Sequence, residues 1–504
     1  MITGDFLLKA VFSLFVLVFV RWLLGVVKWA NKLAYHCRMT GDIPGPETRP
    51  LIGSLHLIRG NLNEYPFFLL REAKKVAERG GGVFKLWVGP IIRLYVFEAE
   101  AARVITSSTT ELKKAFDYDR LHAWLGGGLV TSDGEKWRRS RRLLTPAFHF
   151  GKLEEYSAII DEHARELVAV LEQKADGQTH DLFQTIKLAT LDTIAETAMG
   201  IRLDALKNPD QPYIRAVAEF LHLTFLQGTN PLYLIPLYWR YLGYEKKKAD
   251  ALKVLRSMSS EVIRKRLEAR EAEAEAGAEP KSRPDFLDIL LEANRAGEMT
   301  FEECREQVDT FLFAGYDTTS HALSWILWCL ATHPAVQERV HEEIEREFGG
   351  RDDEFASNRL KELPYCEAVI KEALRMFPPI AAIGRELREE LEVGGHRLPA
   401  GSTVNINMLL LHHNEKVFPN SWTFDPERFA DGRELPPTAY LPFSAGVRNC
   451  IGQRFANREI RVFLAHLLHN FRFSTDREFL DNRPRIEIVL VPTLGVPVRI
   501  ERRR

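Results

Sequence analysis

One decapeptide, FSAGVRNCIG at Phe443–Gly452, limits what this chain can fold into more than any other stretch. It sets one cysteine between two glycines, with a phenylalanine and an arginine at fixed offsets. It runs directly into Ile451–Leu468, IGQRFANREIRVFLAHLL, whose apolar spacing predicts a helix. Cys450 therefore lies at a helix start. A thiolate is a strong, soft metal ligand, and the amide N–H groups of a helix N-terminus offset the cost of burying its charge. Gly446 and Gly452 allow tight turning and close approach of a flat ligand where a Cβ would clash. Arg448 can pair with a carboxylate on that ligand, and Phe443 can pack beside the sulfur and restrict water. At average residue usage, F-x-x-G-x-R-x-C-x-G arises by chance in roughly one such chain in ten thousand. The bland alternative, one more small buried hydrophobe, is therefore set aside for Cys450. The pattern describes an axial thiolate beneath a haem, with Cys450 as the metal ligand.

Cys37, Cys304, Cys329 and Cys366 form no C-x-x-C pair and read as small buried hydrophobes. That argues against a disulfide scaffold or a cysteine-rich zinc site and suits a reducing compartment. The net charge of −1 gives no electrostatic case for nucleic acid. At the N-terminus, Phe6–Val27 approaches the ~20 apolar residues a bilayer requires. Lys9 and Arg21 lie near enough to its ends to snorkel, and Trp22 and Trp29 suit the interface. No small-x-small cleavage site follows. Lys28, Lys32 and Arg38 place the bulk of the chain in the cytosol by the positive-inside rule. Residues 1–30 are thus expected to be a single-pass membrane anchor rather than an amphipathic surface helix. Residues 31–55 read as a basic, proline-rich connector, stiffened by Ile43-Pro44-Gly45-Pro46 and Pro50-Leu51-Ile52-Gly53, and 56–504 as one haem-thiolate catalytic domain.

Within that domain, branched and aromatic residues around Gly89-Pro90 predict a hairpin over Val83–Phe97. Residues 136–276 carry helical spacing. Glu268–Pro284, charged and low in complexity, reads as a frayed helix end and solvated loop. A long helix is expected over Phe301–His333 and a shorter one over Leu363–Met376, ended by Phe377-Pro378-Pro379. Short strands follow over Leu391–Asn407, with turns at Gly394-Gly395 and Pro399-Ala400-Gly401. The fold class is mainly α with a minor β part.

Four further motifs accompany the cysteine loop. Glu372-Ala373-Leu374-Arg375 puts opposite charges at i and i+3 on one helix face, and Pro426-Glu427-Arg428-Phe429 adds a second arginine. Trp137 and Arg141 stand i, i+4 apart in a basic turn whose Arg138, Arg139 and Arg142 read as solvated. In the long helix, Phe313-Ala314-Gly315-Tyr316-Asp317-Thr318-Thr319 carries a glycine that costs about 0.5–1 kcal/mol relative to alanine. Its threonine can bond back to the i−4 carbonyl. With these motifs in order, the chain resembles the cytochrome P450 family over nearly its whole length. The resemblance implies the cytochrome P450 fold. It implies that Arg428 joins Glu372 and Arg375 in a buried triad bracing the haem side, and that Trp137, Arg141 and Arg385 serve the haem propionates. It also implies that Ala314 and Gly315 leave room for dioxygen, while Asp317 and Thr318 pass protons to it.

The activity so implied is that of a monooxygenase in the endoplasmic reticulum membrane. It would be fed by NADPH–cytochrome P450 reductase, with cytochrome b5 as a further donor, docking near Lys136–Arg142. GEKWRRSRRLLTPAFHFGKLEEY and EQVDTFLFAGYDTTSHALSW look most like the group that includes the fatty-acid ω-hydroxylases, family 4 and its relatives. Many of that group carry a haem-linked glutamate where this chain has Ala314, so its haem b is expected to be non-covalent. Helical spacing puts Gln307, Thr310 or Phe311, Ala314 and Thr318 on the pocket side. Phe116–Val130, Phe220–Ile235 and Thr493-Leu494-Gly495 are candidate walls. A long-chain fatty acid is the expected substrate, and a sterol or lipophilic foreign compound the alternative. Asp317-Thr318 argues against a haem-thiolate isomerase or dehydratase, and a non-enzymatic haem sensor would not need an oxygen-activating helix.

Overall fold

The apolar N-terminal run forms a single helix, Ile2–Met39, which continues past residue 30 into the expected connector. The computed structural model describes residues 2–49, 52–58, 63–89, 91–148, 150–229, 231–275, 284–349, 355, 358–430, 432 and 434–503. Among these, Phe12–Met39 is the one stretch of helix long and apolar enough to cross a membrane, with a mean hydropathy of 1.8 and its apolar window unburied. The connector that follows is docked as well as stiff. Lys85 N donates to Pro44 O at 2.8 Å, and a Cβ on Gly45 would lie 2.3 Å from Lys85 O. Pro50, Leu51 and Pro90 lie outside the described residues.

The predicted hairpin is present as antiparallel strands Val83–Val88 and Ile91–Val96. The second strand pairs in parallel with Thr403–Asn407, which pairs antiparallel with Ala382–Glu386, completing a four-stranded sheet. Leu391–Val393 and His396–Leu398 form the expected small hairpin, with Gly394 and Gly395 at φ 57° and 77° in its turn. Near the C-terminus, Pro497–Arg502 is flanked by Thr179–Asp181 and Phe471–Ser474. The helix Tyr244–Glu275 ends where the charged low-complexity stretch begins to fall outside the described residues.

Helices make up the rest, arranged about Phe301–Thr332. Thr300 and Glu303 close a capping box at its start, fixing where it begins. Its two deepest tryptophans, Trp325 and Trp328, are fully buried, and Trp325 stacks on Phe377 at 4.0 Å while donating to Leu490 O at 2.9 Å. The central helix packs on Phe183–Met199, Pro364–Met376 and Gln453–Asn470. It crosses Phe183–Met199 so closely that a Cβ on Gly315 would stand 2.4 Å from Ile194 Cγ1. Helix packing therefore supplies its own reason for that glycine.

Candidate active site

The cysteine loop closes on itself before the helix that follows. Cys450 N donates to Phe443 O at 3.0 Å and Asn449 N to Gly446 O at 3.1 Å. The helix Gln453–Asn470 starts two residues later than its periodicity suggests, with Gly452 as N-cap. The two glycines do different jobs. Gly446 stands at φ 70° with a would-be Cβ 1.9 Å from Thr106 O, so it serves the turn and the packing rather than a ligand. At Gly452 a Cβ would meet nothing nearer than Phe148 Cε1 at 4.0 Å, because that side faces a cavity.

The cavity measures about 470 Å³. Cys450 opens onto it: the residue has accessible surface, but that surface lies inside the cavity and the thiol is desolvated. Burial pushes the thiol above its ordinary value, and the Gly452 amide and Arg141 guanidinium pull it partly back. Thr310, Phe311, Ala314, Gly315 and Thr318 line the cavity from the central helix. Gln307 does not. Its Oε1 accepts from Leu129 N at 3.0 Å and its Nε2 points to Ser140 Oγ at 3.4 Å, so the amide fastens the loop before Gly134–Leu144. The walls include Asp117, Tyr118 and Arg120 from the segment 116–130, and Thr224, Phe225 and Gly228 from 220–235. The C-terminal wall is Ile486–Ile488, the turn between strands Pro484–Ile486 and Leu490–Pro492. Thr493-Leu494-Gly495 lies beyond that hairpin, where Leu494 N is held by Asn482 Oδ1 at 3.0 Å.

Positive charge gathers at one side. Arg448 lies over the Trp137 ring, 4.2 Å from its centroid, and Nη2 donates to Ser132 O and Asp133 Oδ1, both at 2.8 Å. Its Nε and Nη1 are buried without a partner. Arg141 donates to Asn449 O at 2.9 Å and to Asn449 Oδ1 at 2.7 Å. Arg385 is buried one layer behind the cavity wall, donating to Gly384 O at 3.1 Å. Lys114, which no motif in the sequence marks, lines the cavity beside them. Burial, with Arg385 and Arg448 nearby, pushes its amine well below the ordinary lysine value. Burial and Arg385 likewise bring Arg448 down to about 10. Asp133 is the acid paired with this group.

A family model described as Cytochrome P450 matches residues 43–496. Cytochrome P450 4V2 of Homo sapiens is 36% identical over 469 residues, which is 90% of this chain and 88% of that protein. Probable cytochrome P450 4s3 of Drosophila melanogaster is 36% identical over 476 residues, 92% of each. Cytochrome P450 4c21 of Blattella germanica is 34% identical over 500 residues, 97% of this chain and 98% of that protein. The chain belongs to the cytochrome P450 family.

Cytochromes P450 are oxidoreductases, monooxygenases that bind haem, iron protoporphyrin IX, through a cysteine thiolate and act with redox partners on lipophilic substrates. The residues present fit that group. A desolvated thiol faces the cavity, the place of a Cβ at Gly452 is left open, and the Arg448 donors are orphaned within an excess of cations that matches carboxylates.

Two adjacent residues expected to work together on protons are set apart in this P450. Thr318 lines the cavity, its Oγ1 donating to Ala314 O at 2.7 Å. Asp317 points the other way, where Lys187 Nζ lies 3.1 Å from Oδ1, close enough for an ion pair but without hydrogen-bond alignment. His321 also faces that carboxylate at 3.7 Å, and burial lowers its pKa to about 4. The triad, by contrast, assembles. Arg375 Nε and Nη2 each donate to Glu372 at 2.8 Å, and Arg428 Nε lies 3.4 Å from Glu372 Oε1. Arg375 Nη1 donates to His412 O at 2.8 Å, and His412 Nε2 accepts from Leu441 N at 2.8 Å. The triad is thereby tied to the strand of chain that enters the cysteine loop.

Proposed function

We propose that this P450 is a membrane-anchored hydroxylase of fatty acids, inserting one oxygen atom of dioxygen at a carbon of the acyl chain. The observation that carries the reading is the cavity itself, with Cys450 on one side, the Thr310–Thr318 face of the central helix on another, and mostly apolar walls between. Haem, when bound, supplies the iron at which dioxygen is activated. Cys450 is the residue that would hold the iron, through a sulfur deprotonated on binding that burial otherwise keeps as the thiol. Phe443 packs beside it. Arg448 and Arg141, with Trp137 under the Arg448 guanidinium and Arg385 behind, are assigned to the propionate carboxylates. Ala314 leaves the cavity open against the central helix, while the bare Cα of Gly315, which also borders the cavity, admits Ile194. Thr318, on the cavity side of the central helix, would hold a proton for the reacting atoms, and Asp317 would replenish it by exchanging its Lys187 contact for water.

The same reading places the helix Ile2–Met39 in the endoplasmic reticulum membrane with the catalytic domain in the cytosol, taking electrons from NADPH–cytochrome P450 reductase and cytochrome b5. Its docking surface is assigned to Lys136–Arg142. There Arg138 pairs with Glu135 at 2.5 Å, Arg139 with Glu303 at 2.7 Å and Lys136 with Glu306 at 3.0 Å. The Arg138–Glu135 pair is exposed, and such pairs are worth little and exchange readily. Charge reversal at Arg138 and Arg139 should weaken reductase affinity; unchanged affinity counts against the surface.

Titration of the ferric protein with long-chain fatty acids and, in parallel, sterols tests the substrate class. A low- to high-spin shift with fatty acids alone supports the proposal. A shift with sterols alone keeps the monooxygenase and replaces the substrate.

A further inference from the structure

A second polar group lines the same cavity, built from elements that carry no residue of the cysteine loop. Arg93, on strand Ile91–Val96, binds Asp117 through two hydrogen bonds, Nη2 to Oδ1 at 2.7 Å and Nη1 to Oδ2 at 3.1 Å. Arg120 Nη1 adds a third, to Asp117 Oδ1 at 3.1 Å. All three side chains line the cavity and are largely buried, at 14%, 27% and 17% exposure for Arg93, Asp117 and Arg120. Two guanidinium groups thus share one carboxylate and leave one positive charge in excess, in a second cluster apart from the Lys114–Arg141–Arg448 group that lines the same cavity.

The surroundings add to that imbalance. Arg93 Nε is buried without a partner, as is Thr224 Oγ1 on the facing wall. Lys248 packs close by, bonded to Gln227 at 3.1 Å, and its amine is lowered to about 8 by burial and by Arg120. The other acid among the lining residues, Glu487, is already engaged by Arg485 at 3.0 Å and His222 at 3.3 Å. An isolated excess cation in a low-dielectric space is costly unless an anion joins it. Gly228 borders the site, with Arg120 Nη1 only 3.7 Å from where its Cβ would stand, so the guanidinium sits against the end of the helix Pro212–Thr229.

We infer that Arg120, supported by Arg93, is the binding site for the carboxylate of an amphipathic acyl substrate, with Asp117 orienting both guanidinium groups. The inference rests on the fatty-acid reading above and deepens it. A head group held here lays the alkyl chain along Phe225, Phe313 and Ile488 toward the Thr310–Thr318 face, so oxidation falls on carbons remote from the carboxylate. An arginine fork suits this task because it can bind Asp117 on one edge and a substrate carboxylate on the other.

The test is a spin-state titration of the purified holoprotein with palmitate and with its methyl ester, which share a chain and differ in charge. Wild type should bind palmitate at least about tenfold more tightly, the range of a charge-assisted hydrogen bond. Arg120→Gln should remove that advantage while leaving ester affinity and haem content unchanged, and Arg120→Lys should restore part of it. Arg120→Glu should instead favour a long-chain trimethylammonium, a gain that misfolding cannot produce. Equal affinity of wild type for acid and ester overturns the site but leaves the lipid reading standing. So does an Arg120→Gln variant that weakens both alike, or one that loses haem, which would give the arginine to the propionates. If neither lipid shifts the spectrum, the lipid reading fails together with the site.

Discussion

Replacing Gly446 and Gly452 separately by alanine adds the same methyl group six residues apart, with opposite expected consequences. At Gly446 the backbone is left-handed, φ 70°, which costs a non-glycine residue roughly 1–2 kcal/mol. The new Cβ would fall 1.9 Å from Thr106 O, a backbone atom at the end of the helix Ala99–Thr106, so no side chain can swing away. Overpacking of this kind adds typically 1–3 kcal/mol, making the whole penalty about 2–5 kcal/mol, paid by the loop that presents Cys450. At Gly452 φ is −89° and the nearest protein atom would be 4.0 Å away. Alanine there changes only the N-cap, by under about 1 kcal/mol; its cost arises when haem occupies the space. Thermal unfolding of the haem-free and haem-loaded proteins, with haem measured per polypeptide, separates the two. Gly446→Ala should lower the melting temperature of both forms and the haem content. Gly452→Ala should match wild type without haem and retain haem less well. A Gly446→Ala protein with wild-type melting, or a Gly452→Ala protein destabilised without haem, would refute the division of labour.

Further outcomes follow from other contacts. Gly315→Ala should destabilise the protein by about 1–3 kcal/mol through its 2.4 Å approach to Ile194, less the helix-propensity gain; adding Ile194→Ala should recover much of it in a double-mutant cycle, and additive effects would reject the clash. Burial raises the Asp309 carboxyl from 3.8 to about 7, against the pull of Arg305. The folded state therefore holds a proton that the unfolded state has lost, and stability should fall as pH rises from about 4 to about 7. This one group adds a slope approaching ~1.4 kcal/mol per pH unit, and urea unfolding of Asp309→Asn should lack that component. Acidified organic solvent should strip the haem from the polypeptide, because Ala314 offers no carboxylate for a covalent link; retained haem would contradict this.

The parts of the site written in local spacing were legible in the sequence, because the chemistry and the spacing are one thing there. The cysteine loop and the Glu372–Arg375 pair fall in this class, as does, outside the site, the long apolar helix at the N-terminus. What depended on convergence was not. Lys114 reaches the cation group through an isolated backbone bridge to Arg385, a residue far along the chain with no local trace in the sequence around Lys114. Periodicity placed Gln307 on the cavity side of its helix, but a period cannot say that Leu129 N would claim its oxygen. Asp317 and Thr318 read as a pair because they are neighbours in sequence. Neighbours on a helix point about 100° apart, and the structure turns one toward Lys187 and the other toward the cavity. The C-terminal wall moved from residues 493–495 to 486–488 for a similar reason, since which end of a short hairpin faces inward is set by packing and not by composition.

The proposed reaction places one oxygen atom from dioxygen into a fatty-acid chain. The most direct measurement is the mass of the product formed from palmitate by the holoprotein, with NADPH and reductase, under isotopically labelled dioxygen. A hydroxy acid carrying one labelled oxygen, at a carbon remote from the carboxylate, is the expected product, with none from Cys450→Ala. An unlabelled product, or reductase-supported NADPH use with palmitate returned unchanged, would contradict it.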